Sequence, residues 1–190
     1  MVSAQPQLPD DFQAALASLR AARSRPELSL EEIPAPSRLA PYGVALGAEV
    51  MVDGEEVATG RFILLHDPNG SSLWEGTFRI VTYIRAALEA DIGNDGLLGN
   101  VAWAWLVEAL DEHGAEHRAA GGTATRILSE SYGTLAARND SVDIELRASW
   151  TPSGTGMQAH LEAWSHMVCT FAGLPPVPDG VTLLPQRRRR

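Results

Sequence analysis

Lysine is absent from this sequence, so all 15 basic residues among its 190 are arginines, and four of them stand together at Arg187 to Arg190. The rest of the chain carries 11 arginines against 24 acidic residues, a formal net charge of −13. A body of that charge repels nucleic acid and anionic membranes. We therefore expect no membrane partner, and no nucleic-acid partner except through the arginine tail.

Cysteine and long apolar runs are also scarce. The single cysteine, Cys169, excludes an intrachain disulfide and is typical of a reducing compartment. No apolar run approaches the ~20 residues of a membrane span, and the N-terminus lacks the basic and apolar regions of a signal peptide. These features predict a cytoplasmic protein.

The sequence also lacks the short motifs that are typical of common catalytic sites. The sequence has no GxSxG, no P-loop, no Rossmann glycine fingerprint, no HExxH and no paired CxxC. We therefore predict no catalytic residue, no metal and no cofactor. Whether the protein is an enzyme stays undecided by its sequence.

The most informative stretch that is present runs from Asn100 to His113. On a helix its apolar residues fill one arc roughly 200° wide, which one neighbour cannot hide. We expect this helix to lie on a sheet while a second element covers its shoulder. Trp105 lies at the edge of the arc, where core packing and partner binding are both open. The arc consists of Ala102, Trp103, Trp105, Leu106, Val107, Ala109 and Leu110.

Hydrophobic periodicity predicts the other elements. A helix is expected from about Pro9 to Arg23, followed by a proline-punctuated connector to Pro41 and a hairpin that turns at Asp53 and Gly54. Residues 66–70 predict a second turn. Phe78 to Leu88 fits a strand or a helix, and its β-branched and aromatic residues favour the strand. Later elements are strands at 123–132 and 142–148 and a helix at 156–172.

Together these elements predict a single α+β domain over residues 10–173. Its order is α-β-β-β-α-β-β-α, with a five-stranded, mainly antiparallel sheet and helices packed on one face. Residues 1–9 are expected to be a flexible N-terminus. Residues 174–190 are expected to be a proline-containing peripheral tail that ends in arginine.

Three segments carry a family resemblance. They are VAWAWLVEAL (101–110), GTATRILS with IELRASWTP (122–129 and 144–152), and HLEAWSHMVCTFAGLPP (160–176). They resemble the actinobacterial domain-of-unknown-function family numbered three thousand. That family implies no activity, so no catalytic residue is carried over from it. The element order is also similar to that of type III secretion chaperones, small acidic dimers, but this is an analogy of fold without a shared motif.

One group of residues invites a metal hypothesis. Glu162, His166 and Cys169 share one face of the last predicted helix, at spacings that permit two or three metal ligands. Structural zinc uses four ligands, and no further ligand pair is evident. We favour a solvated or interface helix face over a metal site.

The polar face of the sheet is the second candidate site. Side chains of both charges alternate along the predicted strands and could line one surface that binds an anionic or zwitterionic ligand. They are Arg79, Tyr83, Arg85, Arg126, Glu130, Asp143, Glu145 and Arg147. Ordinary cross-strand ion pairing on a wet face is the simpler interpretation.

Two functions remain after these exclusions. We favour a non-catalytic protein-binding or adaptor module with chaperone-like character, whose partner is another protein or a second copy in a homodimer, with Trp105 at the contact. The alternative is a small-molecule binder or enzyme that uses the arginine-bearing sheet face. A cavity on that face with converging charges would favour the alternative.

Overall fold

The computed structural model describes residues 8–88 and 96–176, which form three α-helices, six strands and one short 3-10 helix at Gly133–Leu135. The helices are α1 (Asp10–Ala21), α2 (Leu98–Glu112) and α3 (Gln158–Phe171). The strands are β1 (Leu28–Ile33), β2 (Tyr42–Val52), β3 (Glu55–Ser71), β4 (Gly76–Leu88), β5 (His117–Ser129) and β6 (Ser141–Pro152). The Arg187 to Arg190 tail, and most of the predicted N-terminal and C-terminal segments, lie outside the described residues.

All neighbouring strands pair antiparallel in one sheet of order β1-β2-β3-β4-β6-β5. The helices pack on one face of it: α3 crosses β2, β3 and β4, α2 lies on β5, and α1 packs against α3. That face supplies the core, because alternate side chains of each strand point into it. Its largest buried strand residues are Phe62, Leu64, Ile80, Ile84, Leu146 and Trp150.

The predicted fold class is therefore confirmed, with one more strand than expected. The connector after α1 contains β1, which pairs along its whole length with β2. Leu28 is buried in this strand, which explains why a proline-flanked segment becomes an edge strand rather than a loop. The order of elements is α-β-β-β-β-α-β-β-α.

The turn predicted at residues 66–70 is wrong. His66 is buried, pairs with Phe78 and stacks between the rings of Phe12 and Phe78 at centroid distances of 5.7 and 4.2 Å. Strand β3 passes through a register shift after His66 and ends at Ser71, so the chain turns at residues 72–75 instead. Aromatic packing, which local turn propensity does not include, decides this position.

Two other local predictions are confirmed. Asp53 and Gly54 both have positive φ, 52° and 86°, as a two-residue hairpin loop of this twist requires. Residues 76–88 form a strand, the alternative that their β-branched composition favoured.

The predicted central helix is present as α2, and it lies on the sheet under a second element as expected. Leu98, Ala102, Leu106, Ala109 and Leu110 are its buried residues. Trp103 packs on β5, whereas Trp105 meets Phe171 of α3 edge-on at 6.2 Å. Trp105 is 37% exposed, so α3 covers that shoulder only in part.

Candidate functional site: the open face of the sheet

The candidate site lies on the sheet face opposite the helices, which we call the open face because no helix of the described residues packs on it. Arg61, Tyr83 and Arg147 stand opposite one another on β3, β4 and β6. Arg85 and Glu145 form the next cross-strand pair on the same face. Side chains directly opposite on antiparallel strands are close enough to interact.

A network around Glu145 organises the centre of the open face. The Tyr83 hydroxyl donates to Glu145 Oε1 at 2.9 Å, and Arg147 Nη2 donates to Glu145 Oε2 at 3.1 Å. The Arg147 guanidinium also lies 5.6 Å from the centre of the Tyr83 ring, within the range of a cation–π contact. Burial and the bond to Glu145 raise the pKa of Tyr83, which keeps the phenol protonated.

Arg85 forms a separate ion pair on this face. Its Nη2 lies 2.6 Å from Asp143 Oδ2, and this hydrogen bond raises the pKa of the guanidinium further above its usual value. Side chains of Arg85 and Arg147 remain 47% and 68% exposed, so water screens both pairs. Each pair contributes at most about 1 kcal/mol to stability.

Arg79 has a structural role that its sequence did not reveal. Its guanidinium donates to the carbonyl of Ala119 at 2.9 Å and to the hydroxyls of Thr151 and Ser149 at 3.1 and 2.7 Å. Ala119 belongs to a bulge of β5, where the register with β6 shifts between Arg118 and Gly121. Burial lowers the pKa of Arg79, yet a guanidinium remains charged in proteins. Arg79 therefore stabilises the bulge of β5 at the edge of the open face.

Arg61 is the functional candidate that the sequence analysis missed. It is exposed in the middle of the open face, and within residues 8–88 and 96–176 it forms no ion pair or side-chain hydrogen bond. Its place opposite Tyr83 follows from the β3–β4 register. The alternation of β3 was the available signal, but its opposite neighbours cannot be known without the register.

A cavity of about 580 Å³ opens on this face. Ile63 and Val81 form an apolar floor, while Arg61, Tyr83 and Arg147 provide the polar rim. A second cavity of about 420 Å³ adjoins it, shares Arg61 and Tyr83, and has Glu31 and Glu49 on its far side. The open face is thus basic over β3, β4 and β6 and acidic toward β1 and β2.

Arginine is concentrated on the open face. Of the 11 arginines outside the terminal cluster, five stand here, while Asp143 and Glu145 are the carboxylates that pair with them. A basic surface on an acidic protein concentrates anions locally. The five are Arg61, Arg79, Arg85, Arg118 and Arg147.

The structure separates the six predicted site residues. Arg79, Tyr83, Arg85 and Arg147 share the open face. Arg126 is opposite Ile144, a core residue, and therefore lies on the helix-bearing side of the sheet. Trp105 lies on α2 in the helix layer.

The residues of the metal hypothesis do not converge. Glu162 accepts the backbone N–H of Arg23 at 2.9 Å and the amide of Gln158 at 3.0 Å. Cys169 is fully buried, and burial raises the pKa of its thiol to about 11. The ring of His166 lies beside that of His113, 5.5 Å away. In the part of the chain that is described, no three His, Cys, Asp or Glu side chains are placed to hold a metal ion.

No helix within the described ranges is both long enough and apolar enough to cross a bilayer. A family model described as "Protein of unknown function (DUF3000)" matches residues 8–182. Comparisons with curated proteins and with solved structures gave no match.

Proposed function

The chain belongs to the DUF3000 family, and we propose that it is a non-catalytic binding protein whose open face holds a small organic anion. One observation carries this proposal. Arg61, an arginine without a charged partner among the described residues, borders an apolar-floored cavity on an otherwise acidic protein. A guanidinium offers five N–H donors and is therefore suited to carboxylate or phosphate groups.

The neighbours of Arg61 favour a preorganised site. Glu145 holds the Tyr83 hydroxyl and one Nη of Arg147, so both side chains have a defined orientation before a ligand arrives. The remaining N–H donors of Arg147 stay available to a ligand, because that side chain is largely exposed. Fixing donors in advance lowers the entropic cost of binding.

The cavity limits the size and character of the ligand. Its volume of about 580 Å³ is within the range of small-molecule sites. Ile63 and Val81 on the floor favour a ligand with an apolar portion next to its acidic group. The two tryptophans of α2 leave less surface for a ligand, because Trp103 is packed on β5 and Phe171 covers part of Trp105.

Among the described residues, the lining of the cavity includes no cysteine or histidine, which favours binding without catalysis. Cys169 is buried in the helix layer as a neutral thiol. His160 is buried with its Nδ1 accepting the indole N–H of Trp150, and His66 is stacked in the core. Neither imidazole reaches the open face, on which Arg61, Tyr83 and Arg147 stand.

Isothermal titration with phosphate, citrate and benzoate tests the proposal directly. The native chain should bind at least one of these anions, and Arg61→Gln should weaken that binding about 10- to 100-fold, the value of one charge-assisted hydrogen bond of ~1.5–3 kcal/mol. Arg20→Gln removes a charge that is also exposed, but on α1, and should leave binding unchanged. Rising salt should weaken the binding.

Native mass spectrometry after incubation with a small-molecule extract of cells provides a test independent of the chosen anions. An anionic compound should bind to the native chain and to Arg20→Gln but not to Arg61→Gln. Equal retention by all three proteins would contradict the assignment to the open face. Retention of no anionic compound by any of them would contradict the proposed function.

A further inference from the structure

The charged side chains of the open face form a row across the sheet. The strand register sets five residues of β1, β2, β3, β4 and β6 opposite one another, in the order Glu31, Gly47, Arg61, Tyr83 and Arg147. The row therefore has a carboxylate at its β1 end and guanidinium groups on β3 and β6. A ligand that lies along this row meets charges of opposite sign at its two ends.

An apolar row runs beside the charged row. It lies two residues away along each strand, and therefore on the same face, and consists of Ile33, Ala45, Ile63 and Val81 on β1 to β4. Ile33 borders the cavity of about 420 Å³, whereas Ile63 and Val81 form the floor of the cavity of about 580 Å³. An apolar floor thus extends from the acidic end of the open face to its basic end.

Gly47 leaves the space between Glu31 and Arg61 free of a side chain. A Cβ at Gly47 would stand 3.2 Å from Cγ2 of Ile33 and 3.9 Å from Cγ of Glu31, so both side chains lie beside the glycine. The backbones of Glu31 and Arg61 are separated by two strand spacings, ~9–10 Å in total. Both residues line the cavity of about 420 Å³, which occupies this interval.

Glu49 adds a second carboxylate at the acidic end. It is the diagonal neighbour of Glu31 across β1 and β2, so the two long side chains can reach one cation. Both glutamates are exposed, line the same cavity and form no ion pair within residues 8–88 and 96–176. Protection of a sheet edge by charge does not account for Glu49, because β2 is an interior strand.

We propose that the ligand of the open face carries an ammonium group as well as its acidic group, with an apolar body between them. The ammonium group lies between Glu31 and Glu49, the acidic group lies at Arg61, and the body lies on the apolar row. An ammonium group between two carboxylates removes their repulsion and donates charge-assisted hydrogen bonds to them. This inference rests on the proposed function, which itself requires only the acidic group.

Three probes with the same six-carbon chain separate the contributions of the two charged groups. ε-Aminocaproate has both groups, caproate has only the acid, and hexylamine has only the amine. In isothermal titration the native chain should bind ε-aminocaproate about 10-fold more tightly than caproate, as expected for one charge-assisted hydrogen bond. Hexylamine should also bind more weakly than ε-aminocaproate, because it lacks the group that Arg61 binds.

Substitutions on β1 and β2 test the position of the ammonium group. The double variant Glu31→Gln/Glu49→Gln should bind ε-aminocaproate no more tightly than caproate, while its affinity for caproate should not fall. Glu32→Gln is the matched control, because Glu32 is the next residue of β1, stands opposite Leu46 and points to the other side of the sheet. It should keep the preference for ε-aminocaproate. All three glutamates are exposed, so the variants should retain the fold.

The two proposals fail in different ways. Equal affinities of the native chain for ε-aminocaproate and caproate, both reduced by Arg61→Gln, would leave the anion site intact and overturn the ammonium site. Binding of citrate or benzoate without binding of ε-aminocaproate would have the same meaning, and so would a preference that persists in the double variant. If hexylamine binds as tightly as ε-aminocaproate, the acidic contact at Arg61 is wrong and the proposed function fails with it.

A crystal structure of the native chain with ε-aminocaproate shows the orientation of the probe directly. Its nitrogen should lie within hydrogen-bond distance of Glu31 or Glu49, and its carboxylate should lie at Arg61. The reverse orientation, or a probe bound away from the open face, would overturn the inference.

Discussion

The indole of Trp103 lies directly against the backbone of Gly122. A Cβ at that glycine would stand 2.8 Å from Cζ3 of Trp103 and 2.6 Å from the carbonyl oxygen of Arg147 on β6. Trp103 of α2 can therefore pack this closely on β5 because position 122 has no side chain. The same relationship recurs at Gly60, where a Cβ would stand 2.6 Å from Cζ2 of Trp164 of α3. Both α2 and α3 therefore contact the sheet through a tryptophan that packs against a glycine.

Gly122→Ala should lower the free energy of unfolding by about 1–3 kcal/mol, because both a backbone oxygen and a packed indole must move. Chemical denaturation measures the loss. Gly121→Ala is the matched control, since a Cβ there meets nothing within 4 Å, and its effect should stay within ~0.5 kcal/mol. Equal losses in both variants would show that α2 does not rest on Gly122.

Leu106→Ala should lower the free energy of unfolding by about 2–5 kcal/mol. Leu106 is 1% exposed at the centre of the buried face of α2, so truncation leaves a cavity. Leu73→Ala, which truncates a leucine that is 86% exposed, should change the free energy of unfolding by less than ~0.5 kcal/mol. A loss below ~1 kcal/mol for Leu106→Ala would mean that α2 is peripheral to the core.

Ala119→Gly should stabilise the protein by about 0.5–1 kcal/mol. Ala119 has a φ of 50°, a left-handed conformation that costs a residue with a Cβ about 1–2 kcal/mol. Glycine removes this strain, but its greater conformational entropy in the unfolded state cancels part of the gain in stability. Thermal melting measures the gain. Ala120→Gly, at the next position but without positive φ, should be destabilising. A loss of stability in Ala119→Gly would contradict strain at the bulge.

Lowering the pH from about 6.5 to 4 should destabilise the native chain more than the same change destabilises the His160→Gln variant. Burial lowers the pKa of His160 to about 4, so between this value and 6.5 the unfolded state binds the proton and the native state does not. Stability therefore falls as pH decreases through this window, by at most about 3 kcal/mol from this group. Above pH 6.5 the contribution of the neutral imidazole is complete.

Glutamine at position 160 cannot titrate but can still accept the indole N–H of Trp150, which donates to His160 Nδ1 at 3.1 Å. Denaturation midpoints at a series of pH values, in both proteins, isolate the effect of the imidazole. Parallel profiles for the two proteins would show that His160 is protonated as readily in the native state as in the unfolded one.

Local patterns were sufficient for most elements of this fold. The apolar arc of α2 and the alternation of β2, β3, β4 and β6 each depend on neighbours a few residues away, and so does the Asp53–Gly54 turn. The burial of Leu28 in β1 and the aromatic stack around His66 depend on residues distant in sequence. At both places the structure has a strand, β1 or β3, where the sequence predicted a connector or a turn.

The candidate site shows the same division. Alternation indicated that Arg79, Tyr83, Arg85 and Arg147 share a face, and the strand register places these four residues on one face. Alternation could not relate Arg126 to them, because a bulge at Ala119 and Ala120 precedes it and each one-residue shift exchanges the two faces of a strand. Alternation also could not show that the Arg79 guanidinium donates hydrogen bonds at the bulge, whereas Arg61 has no such partner among the described residues.

By itself the sequence determined an acidic, single-domain α+β protein, the position of its central helix and four residues of its polar sheet face, because composition and periodicity are local properties. Only the tertiary structure decided which arginines surround a cavity, which shoulder of α2 is covered and which strands form the edges of the sheet. Those outcomes depend on strand order and register, which residues far apart in the chain set together through packing.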